Sequence, residues 1–298
     1  RSCLLGSGIL FWVATVSAQP SRPANPAGTG GGGGARPNPA GLGFEAAREN
    51  LRQFKVADGL EATLFAAEPM LVNPTDMDID ARGRVWITEG ANYRITPRMN
   101  KPWGTLREGG DRIVILEDTN RDGVADVSKT FYQDPTINSA LGIGVFGNRV
   151  IVSASPYVFI LTDTDGDDRA DQRELFFEDT SLGDHDHCTH AFIFGPDGKF
   201  YFNFGNEIRE LRRPKGGLLA LPLHGPVPAH ESETVIDVTG NAVKADGKPY
   251  RQGMIFRCNP DGSEFETVAW NFRNNYETAI DSYGNLWQSD NDDDGNRG

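Results

Sequence analysis

Two short stretches of this chain repeat one pattern of oxygen-bearing side chains. Asp118, Asn120, Asp122 and Asp126 take positions 1, 3, 5 and 9 of a loop with Gly123 at position 6. Asp163, Asp165, Asp167 and Asp171 repeat the spacing, and Glu174 stands at position 12. Alternate residues of a tight loop turn their carboxylates inward, where a hard cation such as calcium collects them. Each loop departs from the pattern once: Lys129 holds position 12 of the first, and Asp168 replaces the glycine of the second. The plainer reading is a solvated acidic turn between strands. An ion bound here is expected to be structural rather than catalytic.

A second cluster is His185-Asp186-His187-Cys188-Thr189-His190, with three of the five histidines, placed before an apolar stretch at 191–194. A histidine beside a carboxylate suits general-base work near neutral pH. His185, His187 and His190 are also able to converge on a metal. A polar loop capping strand ends is the third reading. Cys188 is open to metal binding or to a disulfide with Cys258, which an oxidising compartment permits.

These residues need elements to position them, and the elements read as strands. Segments 75–89, 141–156, 190–206 and 276–291 share one form: an apolar strand, a tight turn, a second strand and a polar end. Their turn glycines are Gly83, Gly147, Gly198 and Gly284, spaced unevenly, as a repeat padded by insertions would be. Repeated antiparallel hairpins at this spacing predict an all-β chain, a β-propeller holding about four blades. A β-sandwich would not produce the recurring phrase. One short helix is expected over 44–54, where Phe44, Ala47, Leu51 and Phe54 share a face.

Composition agrees. The chain has 35 glycines in 298 residues, well above the usual ~7%. Its net charge of −13 repels phosphate backbones and argues against nucleic-acid binding. Three cysteines are too few for a disulfide scaffold. Arg1 precedes an apolar run over 4–16, with small residues Val16 and Ala18 at a cleavage spacing, so residues 1–18 read as a signal peptide and the protein as secreted or periplasmic. The run is short of the ~20 residues that span a bilayer, although an uncleaved segment would give membrane association. Residues 19–43, rich in Gly, Pro and Ala, read as a flexible linker. Residues 44–298 are then the N-terminal part of a propeller expected to continue further.

Several phrases in order carry a family resemblance. Gly59-Leu60-Glu61-Ala62-Thr63-Leu64-Phe65-Ala66-Ala67-Glu68-Pro69, Arg84-Val85-Trp86-Ile87-Thr88-Glu89, Ile113-Val114-Ile115-Leu116-Glu117-Asp118 and Val152-Ser153-Ala154-Ser155-Pro156 resemble the membrane-bound dehydrogenase domain of planctomycetes, verrucomicrobia and acidobacteria. That family often continues into helical repeats and a c-type haem domain. The chain is also similar to soluble quinoprotein glucose dehydrogenases, six-bladed propellers that use pyrroloquinoline quinone and calcium. The resemblance implies His187, with Asp186, as the base taking a substrate hydroxyl proton. It implies Arg273 and Asn274 as cofactor contacts, and Asp290 in the segment leading to cofactor calcium. The family's cofactor glutamine falls near Ile137, beside Asn138. The implied function is oxidation of a sugar or alcohol, with electrons passed to an acceptor such as cytochrome c. The alternative is a calcium-stabilised propeller that binds carbohydrate or protein without chemistry.

Overall fold

The computed structural model describes residues 43–93, 106–179, 187–205, 208, 210–213 and 253–290, with the backbone of 217–218, 235–236 and 242–243. The expected signal peptide, all of the linker before Gly43, His185 and Asp186 lie outside the described residues. The helix is α1 (Phe44–Leu51), one turn shorter than expected. No helix among the described residues is long and apolar enough to cross a membrane.

All else is strand and turn. β1 (Pro74–Ile79), β2 (Val85–Glu89), β3 (Arg112–Glu117) and β4 (Val127–Gln133) form a four-stranded antiparallel sheet in chain order. β5 (Gly142–Phe146), β6 (Arg149–Ala154), β7 (Tyr157–Thr162) and β8 (Gln172–Asp179) repeat it. Next come β9 (Thr189–Phe194) and β10 (Phe200–Phe204), then an insertion carrying β11 (Leu211–Arg213), β12 (Gly217–Leu218), β13 (Val235–Ile236) and β14 (Ala242–Val243). β15 (Gly253–Cys258) and β16 (Glu266–Phe272) complete the third sheet with β9 and β10. β11 and β12 do not join that sheet. They extend the second one beyond β8. β17 (Thr278–Ile280) and β18 (Leu286–Gln288) pair as the start of a fourth.

The sheets are blades stacked face to face, which makes the fold an all-β propeller. Alternation on the second blade shows this most directly. Val150, Val152, Phe159 and Leu161 face the first blade, against Trp86, Ile113, Ile115 and Phe131. Ile151, Val158, Ile160 and Phe177 face the third, against Phe192, Phe200, Phe202 and Phe256. With apolar layers on both sides, β6 and β7 read as continuous β-branched and aromatic runs rather than as alternating ones.

The innermost strands β1, β5 and β9 run side by side without sharing a sheet. A strand edge left open must find partners for its N–H groups. On β5 these come from β1: Asp76 Oδ2 accepts the Ile143 amide at 2.8 Å, and Asp78 Oδ2 accepts the Val145 amide at 2.7 Å. Burial raises both carboxyls above the usual aspartate range. On its other side β5 presents Gly142, where a Cβ would lie 2.7 Å from the Ala191 nitrogen. Asp76→Ala is expected to cost about 1–3 kcal/mol by leaving the Ile143 amide unpaired. Urea unfolding measures this, and Asp76→Asn, which keeps an acceptor, should lose less.

One repeat escaped the sequence reading. Asp80 accepts the amides of Arg82 and Arg84, the Arg84 Nε and the Trp86 indole N–H. Asp281 accepts the amides of Tyr283 and Asn285, the Asn285 Nδ2 and the Trp287 indole N–H. First and fourth blades thus share one side-chain-locked turn, Asp then Gly three and Trp six residues later. Trp86 is buried by the second blade, whereas Trp287 is 63% exposed.

Candidate functional site

In an up-and-down sheet, successive loops alternate between the two rims. The acidic loops both join third to fourth strands, β3–β4 and β7–β8, and so share one face. His187 precedes β9, and Arg273 and Asn274 follow β16, so they lie on the opposite face. The metal-type loops and the candidate chemistry are therefore on different sides of the propeller.

On the face opposite the acidic loops, two of the candidate residues, His187 and Asn274, come near one another. Gly205, at the end of β10, is where they meet. A Cβ there would lie 2.8 Å from His187 Cα and 2.9 Å from both His187 Cβ and Asn274 Oδ1. Only glycine permits that approach. His187 is half-buried and Asn274 is buried. Asp290 accepts the backbone amides of Arg273 and Asn274, each at 2.8 Å. It thereby fixes the turn that presents them. Asp186 lies outside the described residues.

Sequence reasoning missed two members. His190, read above as a metal ligand or a strand-end cap, is fully buried and places Nε2 2.8 Å from Asn274 Oδ1. Tyr276 lies against the His190 ring, with centroids 4.4 Å apart. Its hydroxyl donates to the carbonyls of Thr75 at 2.8 Å and Leu141 at 3.1 Å. Burial pushes the phenol well above its usual range, which keeps it a donor. A tyrosine just ahead of a strand was a signal available in the sequence, but its partners are not.

The same face carries a polar cluster over the first blade. Glu89 is fully buried and bonded to Arg107 at 2.6 Å and Arg112 at 2.9 Å. Asp111 accepts the amides of Asn92 and Ser139, and burial raises its carboxyl to about 6. Ile137, where the resemblance placed a glutamine, is buried in the core. Asn138 beside it accepts a bond from Asn92 Nδ2 at 2.6 Å.

On the opposite face the two acidic loops differ. Asp163, Asp165 and Asp171 each bring a carboxylate oxygen within 4.8 Å of the others. Among the described residues no other such group forms. Asp167 accepts the Arg169 amide instead, and Glu174 lies exposed on β8, outside the cluster. In the first loop Asp118 accepts the amides of Arg121, Asp122 and Gly123, Asn120 that of Asp122, and Asp122 that of Val124. Asp126 bonds Thr119.

The two departures from the loop pattern turn out to be one device. Lys129 reaches Asp168 of the neighbouring blade at 2.6 Å. Asp168 also takes Arg84 at 2.6 Å and Arg82 at 3.1 Å. These cations hold its carboxyl well below the usual range, outweighing its burial. Cys188 and Cys258 form no disulfide. Both are buried in the aromatic core between blades, and burial pushes the Cys258 thiol up to about 12. Among the described residues neither joins a metal-type group.

Residues 46–219 match the model of a family described as a domain of unknown function, DUF7133. No curated protein matches the sequence. Among solved structures, the chain is similar to the holo form of a pyranose dehydrogenase PQQ domain from Coprinopsis cinerea, at 19% identity and TM-score 0.43, over 78% of this chain and 46% of that one. It is similar to the calcium structure of a Trichoderma reesei carbohydrate-active enzyme of family AA12, at 15% identity and TM-score 0.36, over 54% and 35%. A streptogramin B lyase matches at 12% identity and TM-score 0.29, over 76% and 86%. The chain spans less than half the length of the first two.

Proposed function

From its place in the DUF7133 family, to which this chain belongs on a match over 46–219, and from the geometry of one propeller face, we propose an exported, quinoprotein-like oxidoreductase acting on a sugar or alcohol hydroxyl. The observation that carries the reading is the meeting of His187 with Asn274 across Gly205. Residues 87 positions apart come together on the rim with Arg273 adjoining, as the dehydrogenase resemblance requires.

The donor set fits pyrroloquinoline quinone. Arg273 offers a cation for a carboxylate. Asn274 has its oxygen occupied by His190, so its NH₂ remains the group to offer an acceptor-rich ligand. When bound, the quinone supplies a two-electron acceptor. The chain's own residues do the rest: His187 takes the substrate hydroxyl proton, Arg273 and Asn274 hold the ligand, and Asp290 fixes the turn carrying both. The resemblance further implies electron transfer to a c-type haem domain beyond this segment.

The test is to add pyrroloquinoline quinone and calcium to the protein, follow binding by fluorescence, and assay dye reduction with aldoses and alcohols. Saturable binding and turnover support the reading. Absence of quinone binding overturns it and leaves a binding propeller. Calcium is expected to act separately, at Asp163, Asp165 and Asp171 on the far face. Because an ion that binds only the folded loop stabilises it by linkage, calcium should raise the melting temperature and a chelator lower it. Asp165→Ala should remove the response. A melting curve indifferent to chelator, with no calcium by elemental analysis, makes the loop an acidic turn.

A further inference from the structure

We propose that His190 is a positioning residue, which holds the Asn274 side chain with its oxygen inward and its NH₂ toward the ligand. The inference rests on the reading above, that Asn274 and His187 face one ligand.

An amide oxygen only accepts hydrogen bonds, so the nitrogen 2.8 Å from it must carry the proton. His190 is therefore held as a donor at Nε2. Oxygen and nitrogen of an amide lie on opposite sides of the group. Fixing Oδ1 against a buried ring consequently turns Nδ2 the other way. A flipped amide would present oxygen to an acceptor-rich ligand and repel it.

The ring that does this is itself held. His190 is fully buried on β9, and Tyr276 covers its face at 4.4 Å. Tyr276 in turn hangs by its hydroxyl from carbonyls of the first and second blades, at Thr75 and Leu141. From the other direction Asp290 holds the Asn274 backbone, and the bare backbone of Gly205 lets the amide oxygen pack where any Cβ would clash. Three blades and a carboxylate thus converge on the orientation of one amide. Groups that orient metal-ligating side chains commonly cost roughly 10–100-fold when mutated, and an effect of that order is expected of a group that orients Asn274.

The experiment has two readouts. In protein labelled with ¹⁵N-histidine, the His190 ring is expected to carry its proton at Nε2, and Asn274→Ala should alter that signal. Quinone titration with calcium should then show His190→Leu weakening binding by roughly 10–100-fold. His190→Gln, which keeps a donor, should restore most of it. In an Asn274→Ala background His190→Leu should change affinity little, because there is no amide left to orient. A proton at Nδ1, a ring signal indifferent to Asn274→Ala, or losses that simply add would overturn the proposal. If wild-type protein binds no quinone, the functional reading falls, while the ring signal alone still decides what His190 does. Should His190→Leu fail to fold, the glutamine variant and the ring signal carry the test.

Discussion

Replacing His187 by alanine is expected to lower turnover by roughly 10²–10⁴-fold, the range that a lost general base covers, with quinone affinity and melting temperature near wild type. The expectation of an intact fold comes from position. His187 is half-buried in the turn before β9, and the blade core begins one residue later at Cys188. The expectation of lost chemistry comes from company: Asn274 against it across Gly205, and Arg273 presented by the same clamped turn. Steady-state dye reduction by the reconstituted protein measures the effect. Turnover unchanged in the variant removes His187 from the mechanism.

The second large effect is expected far from the chemistry. Asp168→Ala should destabilise the protein by about 2–3 kcal/mol. Breaking a buried ion pair commonly costs about 3–5 kcal/mol because a charge is stranded. The lower figure allows for Arg84 keeping Asp80 at 2.8 Å and for Lys129 being partly exposed. Asp168 also sits at φ 66, in the left-handed region. Glycine adopts that conformation without the ~1–2 kcal/mol cost borne by a Cβ, so Asp168→Gly should be milder than Asp168→Ala. The sign of the pH dependence follows from the lowered carboxyl. Its contribution is present above the ordinary aspartate range and fades as pH falls below about 4. Urea midpoints of wild type and variant should therefore converge on acidification. A gap independent of pH would mean that the charge of Asp168 is not what joins the blades.

Much of this was legible in the sequence, and the remainder was not, for physical reasons. Strand–turn–strand phrases and turn glycines mark hairpins through local backbone preference, and Gly83, Gly147, Gly198 and Gly284 all adopt positive φ. His187, Arg273, Asn274 and Asp290 were named from the resemblance, and the structure places His187 and Asn274 on either side of Gly205 and Asp290 on the amides of Arg273 and Asn274. Partners across blades were hidden. Lys129 looked like a defect in one loop and Asp168 a defect in the next, because each was judged inside its own loop. Only stacking of the blades brings them within 2.6 Å. Glu174 has the right number in the loop pattern, but β8 has already begun at Gln172 and carries it along an exposed strand. His190 looked like a ligand because its neighbours are histidines, yet strand alternation sends it inward to Asn274. The Asp80–Trp86 and Asp281–Trp287 turns were open to a simple alignment of the chain on itself.

The hydroxyl of Tyr276 joins a carbonyl 201 residues earlier. On a ribosome adding roughly 5–20 residues per second, the interval between making the two ends of that contact is roughly 10–40 s. During that interval the first and second blades are already joined by Asp76, Asp78 and the Lys129–Asp168 pair, while the Tyr276 contact is still unmade. Birth order therefore leaves the Tyr276 tie among the last of the inter-blade contacts to form. A chain released before residue 276 keeps the Asp76 and Asp78 ties between β1 and β5 but lacks the hydroxyl that caps the carbonyls of Thr75 and Leu141.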